Sequence, residues 1–171
     1  APFRGMSDQH NQARSRQRED DTTKTPDDIV SLARSFDTAM LVTHGPDGGS
    51  RARPMSVAQV EDDARLWFVT SSTTDLVSEL ARDARLLVVM QGKMSYLCIE
   101  GRATTSRDRA KIHELWNDSM RAWFEDENDP SITLVDFRPN EAEYWDVAGT
   151  KGIKLAFRAA KAAITGEPAQ F

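Results

Sequence analysis

Three stretches of β character, "AMLVTH" (39–44), "RARPMSVAQV" (51–60) and "RLWFVT" (65–70), follow one another with only "GPDGGS" and "EDDA" between them. No other feature constrains the fold as strongly. Parallel strands need a crossover of about a dozen residues or more, so linkers this short leave antiparallel pairing. "GPDGGS" gathers residues that tolerate positive φ or preset a turn, the composition of a hairpin. Pro54 has no N–H to give to a ladder, which places the second stretch at a sheet edge, a bulge or a barrel opening.

The pattern continues further along the chain. "RLLVVMQ" (85–91) and "MSYLCIEGRAT" (94–104) read as two strands joined at Gly92 and Lys93. "SITLVDFR" (131–138) and "AEYWDV" (142–147) read as a last pair around the turn "PN". Helices are expected between them. Thr25 can cap a short first helix in "TPDDIVSLARSF", with Pro26 at its first position and Asp27 and Asp28 at the positive end of its dipole. "DLVSELARD" (75–83) carries Leu76, Val77 and Leu80 on one side. Residues 106–124 place Ile112, Leu115, Trp116, Met120 and Trp123 near helical spacing, and "IKLAFRAAKAAI" (153–164) shows an apolar stripe.

Seven strands in this order can curl into a small barrel. The expected fold is mainly β with flanking helices, an antiparallel barrel in one domain over residues 25–171 with a C-terminal helix. Residues 1–24 are polar and lack apolar periodicity, so a disordered tail is expected there, with "APFRG" ahead of Met6 read as a remnant of cloning.

Charge and motif content narrow the function. The formal net charge is −5 and the basic residues are scattered, which disfavours nucleic acid as a partner. Uncharged apolar runs such as "LLVVM" fall far short of the roughly 20 residues a membrane helix needs. No signal-peptide pattern is visible, so the cytoplasm is the expected location. Cys98 is the lone cysteine, which excludes an internal disulfide and a cysteine-cluster metal site, and it reads as a buried, unreactive thiol. His10, His44 and His113 show no ligand spacing; no metal is expected, and His44 reads as a polar strand end. Motifs for nucleophilic hydrolysis and for nucleoside triphosphates are missing. No residue is nominated as a catalytic acid, base or nucleophile.

The hydroxyl run Thr70, Ser71, Ser72, Thr73 and Thr74 lies between the third strand and the helix that begins near Asp75. Two readings stand. Thr73 or Thr74 caps the helix and the other hydroxyls fill a loop. Alternatively, the strand-to-helix turn offers hydroxyls and free backbone N–H groups to a phosphate monoester.

The succession "RPM", "LWFVTSS", "SELARDARLLVV", "YLCIEGRA" and "EAEYWD" resembles the pyridoxamine 5′-phosphate oxidase-like split barrels, above all their general stress protein branch. That resemblance covers roughly residues 25–167. It implies an FMN-binding antiparallel split barrel that forms a homodimer, with flavin in clefts between subunits. Carried over position by position, it implies that Arg53 binds the phosphate and that Pro54, Met55 and Ser56 line the flavin ring. It further implies that Val69 and Thr70 contact the cofactor, that Ser71 and Ser72 begin the loop near the phosphate, and that Trp145 borders the flavin. Tyr96 falls where oxidase relatives place a glutamine, and Lys151 where they place an arginine for the substrate phosphate.

The chain departs from the family pattern where relatives carry a basic residue in the first turn of the short helix. Leu76 stands there, beside Asp75. Losing a charge-assisted hydrogen bond forfeits roughly 1.5–3 kcal/mol, so Arg53, with Arg51 on the same strand face, would have to neutralise the phosphate. FAD or a deazaflavin could take the place of FMN. Three functions follow: a flavin-dependent redox protein on a small substrate, a non-enzymatic flavin carrier, and a cofactor-less dimeric interaction module.

Overall fold

The structure, a computed structural model, describes residues 25–146 and 153–156. Helix α1 (Pro26–Arg34) begins as its sequence implies. The Thr25 hydroxyl accepts from the Asp28 N–H while the Asp28 carboxylate accepts from the Thr25 N–H at 2.7 Å, a reciprocal capping box. Its Ile29, Val30 and Ala33 are buried in the core.

Strands β1 (Thr38–His44) and β2 (Ser50–Ser56) form an antiparallel hairpin in continuous register from Thr38↔Ser56 to His44↔Ser50. Gly48 adopts φ +78° in the connecting turn, a conformation that glycine enters without Cβ strain. The stretch 51–60 is not one strand. The chain leaves β1 after Ser56, the Val57 N–H donates to the Asp37 carbonyl, and a separate short β3 (Gln59–Val60) joins β4 (Leu66–Ser71). The chain here passes from one edge of the sheet to the other, so a single ladder cannot hold it.

Helix α2 (Asp75–Arg82), β5 (Arg85–Gln91) and β6 (Ser95–Ser106) follow, then helix α3 (Arg109–Leu115), β7 (Ile132–Asp146) and β8 (Ile153–Ala156). The sheet order is β2-β1-β5-β6-β7-β4-β3, with β8 pairing β7, and all pairings are antiparallel. The expected antiparallel, mainly β architecture is thus present, and Pro54 does lie on an edge strand.

Three further expectations are corrected. "SITLVDFR" and "AEYWDV" form one strand, because Pro139 and Asn140 make a bulge rather than a turn. Gly101 pairs with Pro139 and Glu100 with Glu141, leaving Asn140 as the extra residue. The helix expected over 106–124 ends at Leu115. Asn117 accepts from the Ser119 N–H and starts a 3-10 turn at Asp118–Ala122, the capping use that suits such residues better than a helix interior. The helix expected from Ile153 begins instead as β8, whose backbone completes a ladder with Glu141–Tyr144. The tail 1–24 and residues 157–171 lie outside the described residues.

Strand alternation divides the apolar side chains between two cores. Leu66 and Phe68 of β4 point into the barrel with Leu41, Val88, Ile99 and Phe137. Trp67, between them, joins Ile112, Leu115, Phe124, Ile132 and Leu134 on the other face. Arg65 locks this second layer: it bonds Asp136 through Nε and Nη2, both at 2.5 Å, and its guanidinium lies 4.5 Å from the Trp67 ring centroid. Among the described residues, no helix is long and apolar enough to cross a membrane.

The bulge depends on Gly101. A Cβ there would lie 2.2 Å from the Arg138 carbonyl oxygen and 2.8 Å from the Phe137 ring. Gly101→Ala should therefore destabilise the fold by about 1–3 kcal/mol, read as a lower midpoint in urea unfolding with unchanged slope.

Candidate functional site

Among the described residues, β2 shares a ladder only with β1, so one side of its backbone is free. The sheet curls until β2 faces β4 without bonding to it, and a cavity of about 670 Å³ lies between them. That volume falls in the range of small-molecule sites. Pro54, Met55 and Ser56 supply one wall and Val69, Thr70 and Ser71 another. The structure thus gathers six of the nine candidate cofactor residues around one space.

Asn117, Ser119, Met120, Trp123 and Phe124 form a third wall that the sequence reading assigned to a helix. Trp123 is 82% exposed there. Its signal was present in "NDSMRAWF": a cap-favouring Asn-Asp-Ser run followed by adjacent aromatics, which one helical face cannot bury together.

The hydroxyl run resolves into a compact turn. Thr70 and Thr74 hydroxyls lie 3.1 Å apart, Thr74 Oγ1 donates to the Ser71 carbonyl at 3.0 Å, and Ser71 and Thr73 hydroxyls lie 3.1 Å apart. Thr74 stands at the N-cap of α2, yet its side chain makes no capping bond. Ser72, also a candidate, does not line the cavity; its N–H donates to the Ser131 carbonyl at 2.8 Å.

Arg53 is likewise outside the lining. Its Nη2 donates to Glu79 Oε2 at 2.6 Å and its Nη1 to the Thr43 hydroxyl at 3.0 Å. Thr43 Oγ1 donates to the same carboxylate oxygen at 2.5 Å, closing a three-membered polar cluster. The Arg53 side chain is 23% exposed and that of Glu79 only 7%. Burial pushes the Glu79 carboxyl up, but the Thr43 hydroxyl and the Arg53 guanidinium outweigh it and hold the group below its ordinary value. Leu76, where a basic residue was expected from relatives, is 2% exposed and packed in the barrel core.

Trp145 and Tyr96 sit directly opposite each other across β7 and β6, and neither lines the cavity. Lys151 lies outside the described residues. Cys98 corrects the sequence reading: it is half-buried on the outer sheet face. Burial, then Glu143 and Glu100, raise its thiol pKa and favour the protonated form. His44 ends β1, and its enclosed Nδ1 has no hydrogen-bond partner among the described residues. Among the described residues, no three His, Cys, Asp or Glu side chains gather to hold a metal ion.

The sequence profile described as "Pyridoxamine 5′-phosphate oxidase like" matches residues 24–170. The chain belongs to this family. The general stress FMN/FAD binding protein of Xanthomonas citri is 28% identical, with a TM-score of 0.64 over 75% of this chain and 93% of that one. General stress protein 26 of Bacillus anthracis, 21% identical, superposes with a TM-score of 0.67 over 75% and 95%. A heme binding protein of Mycobacterium smegmatis, 14% identical, gives 0.65 over 82% and 60%; these last two likenesses establish the fold alone. No curated protein matches the chain. The fold is the split barrel of this family.

Removing one partner of the Arg53–Glu79 pair leaves a charge poorly solvated. Glu79→Ala should cost about 2 kcal/mol, less than a fully buried pair because Arg53 reaches solvent. The Glu79 pKa is depressed in the folded state, so the pair's contribution is present above the ordinary glutamate value of 4.5 and is lost as pH falls through the folded one. Urea midpoints of wild type and variant should accordingly converge on acidification below about pH 4.

Proposed function

We propose that this protein binds a flavin in the cavity between β2 and β4 and serves in redox chemistry on a small substrate. The observation that carries the reading is the joining of a free strand edge, apolar walls and a few hydroxyls in one cavity. Met55, Val69, Met120 and Phe124 offer apolar surface to a planar ring. Ser56, Thr70 and Ser71 place hydroxyls beside it, and the free side of β2 supplies backbone groups that suit the polar edge of a flavin. Family membership and the FMN/FAD binding relative support the same ligand.

A bound flavin supplies the electron transfer; the chain positions the ring and limits its contact with water. FMN is the favoured form, with FAD and a deazaflavin as variants. In this reading Pro54, Met55, Ser56, Val69, Thr70 and Ser71 hold the ring region. Ser72 and Arg53 stand at its margin, and Trp145 completes the site from a second subunit. A homodimer agrees with the outer face of β1, β5 and β6. Met40, Val42, Leu87, Val89, Cys98 and Tyr96 stand there half-buried or exposed, an unusually apolar row for a solvated surface.

Two measurements separate this reading from the others. Purified, flavin-loaded protein should oxidise reduced nicotinamide faster than free FMN does; an equal rate identifies a carrier. Saturable quenching of flavin fluorescence should accompany a dimer in light scattering, and absence of quenching leaves the cofactor-less interaction module. Ser56→Trp, which fills the cavity from an exposed position, should weaken flavin binding by about 100-fold or more while leaving the unfolding free energy within about 0.5 kcal/mol.

A further inference from the structure

The ionisable side chains around the cavity present an unusual balance. Asp37 lines it, and no Lys or Arg is among the described lining residues. Among the described residues, a phosphate dianion entering here meets hydroxyls and one carboxylate. The basic residue that directly precedes the lining stretch of β2, Arg53, already has a full anionic partner in Glu79 and a second bond to Thr43. Drawing Arg53 toward the cavity would strand a buried carboxylate on the Thr43 hydroxyl. The neighbouring arginines are engaged elsewhere. Arg51 lies 3.6 Å from Asp47 at the hairpin turn, and Arg82 donates to the His44 carbonyl at 3.2 Å. Leu76 is sealed in the core and adds no charge.

The lining is better suited to a ring. Met55, Val69, Met120 and Phe124 line it, and the exposed Trp123 indole stands at the same wall, where an incoming planar group can stack. Stacking and apolar contact do not depend on the ligand's charge.

We infer that Glu79 holds Arg53 out of service as an anion site, so that the cavity selects the flavin ring system and is nearly indifferent to a terminal phosphate. This rests on the flavin reading above and sharpens it. Binding energy is concentrated at the ring, and riboflavin competes with FMN on nearly equal terms.

The test is a pair of fluorescence titrations, FMN and riboflavin, which share the ring and ribityl chain and differ in the phosphate. Wild type should bind the two within about threefold, and added salt should leave both affinities nearly unchanged, since no ion pair with the ligand is screened. Glu79→Gln frees the Arg53 charge and should tighten FMN by about tenfold while leaving riboflavin unchanged. A wild-type preference for FMN of about tenfold or more overturns the inference, as does a Glu79→Gln effect equal for both ligands. If that variant does not fold, the wild-type ratio and its salt dependence decide: a steeper salt slope for FMN than for riboflavin counts against the inference. Failure of both flavins to bind overturns the flavin reading and this inference together, whereas a phosphate preference overturns the inference alone.

Discussion

The close approach of Gly101 to the Arg138 carbonyl is the constraint on which the barrel depends. It lets β6 and β7, the longest strands described, stay paired through an extra residue. A bulge bends the strand that carries it and strengthens local twist. That bend lets β7 reach β4 on one side while β6 continues to β5 on the other, so the sheet curls. The cavity is a consequence of that curl. β2 and β4 are brought face to face at the unclosed seam, and the unpaired side of β2 becomes available to a ligand.

Electrostatics then decide what kind of ligand the seam can favour. Arg53 and Glu79 neutralise each other outside the cavity lining, with Thr43 bonded to both, and the described lining itself carries hydroxyls and Asp37. A charged pair that is partly desolvated resists being broken, because each partner would lose solvation that water does not restore. The pair therefore acts on function as well as on stability. It fixes α2 against β1 and β2 and removes a positive charge from the inventory available to an anion.

Much of the fold was legible from residues 25–106. The Thr25 N-cap, the "GPDGGS" hairpin, the edge position of Pro54 and the strand pair 85–104 each follow from local chemistry, which a sequence displays directly. The failures have two causes. Pro139–Asn140 has turn composition, but a long ladder absorbs it as a bulge. Residues 116–124 have roughly helical spacing, but Asn117 and Ser119 bond locally and the segment becomes a cavity wall. Ile153–Ala156 has helical apolar spacing, but the free edge of β7 accepts it as a strand. At 139–140 and 153–156 pairing partners distant in sequence overrode a local preference, and at 116–124 a local side-chain cap overrode the helical spacing.

What the sequence determined by itself was antiparallel pairing, the order of the elements, and the grouping of "RPMS" with "VTS" as candidate ligand-facing stretches. Short linkers and strand periodicity suffice for the pairing, since both act within a few residues, whereas the grouping of those two stretches came from the family resemblance. Only the tertiary structure decided which charges meet. Arg53 and Glu79 are separated by 26 residues, and nothing local distinguishes an arginine awaiting an anion from one that already has its carboxylate. Curling of the sheet places α2 over β1 and β2, and Coulomb attraction in that partly dry space makes the assignment.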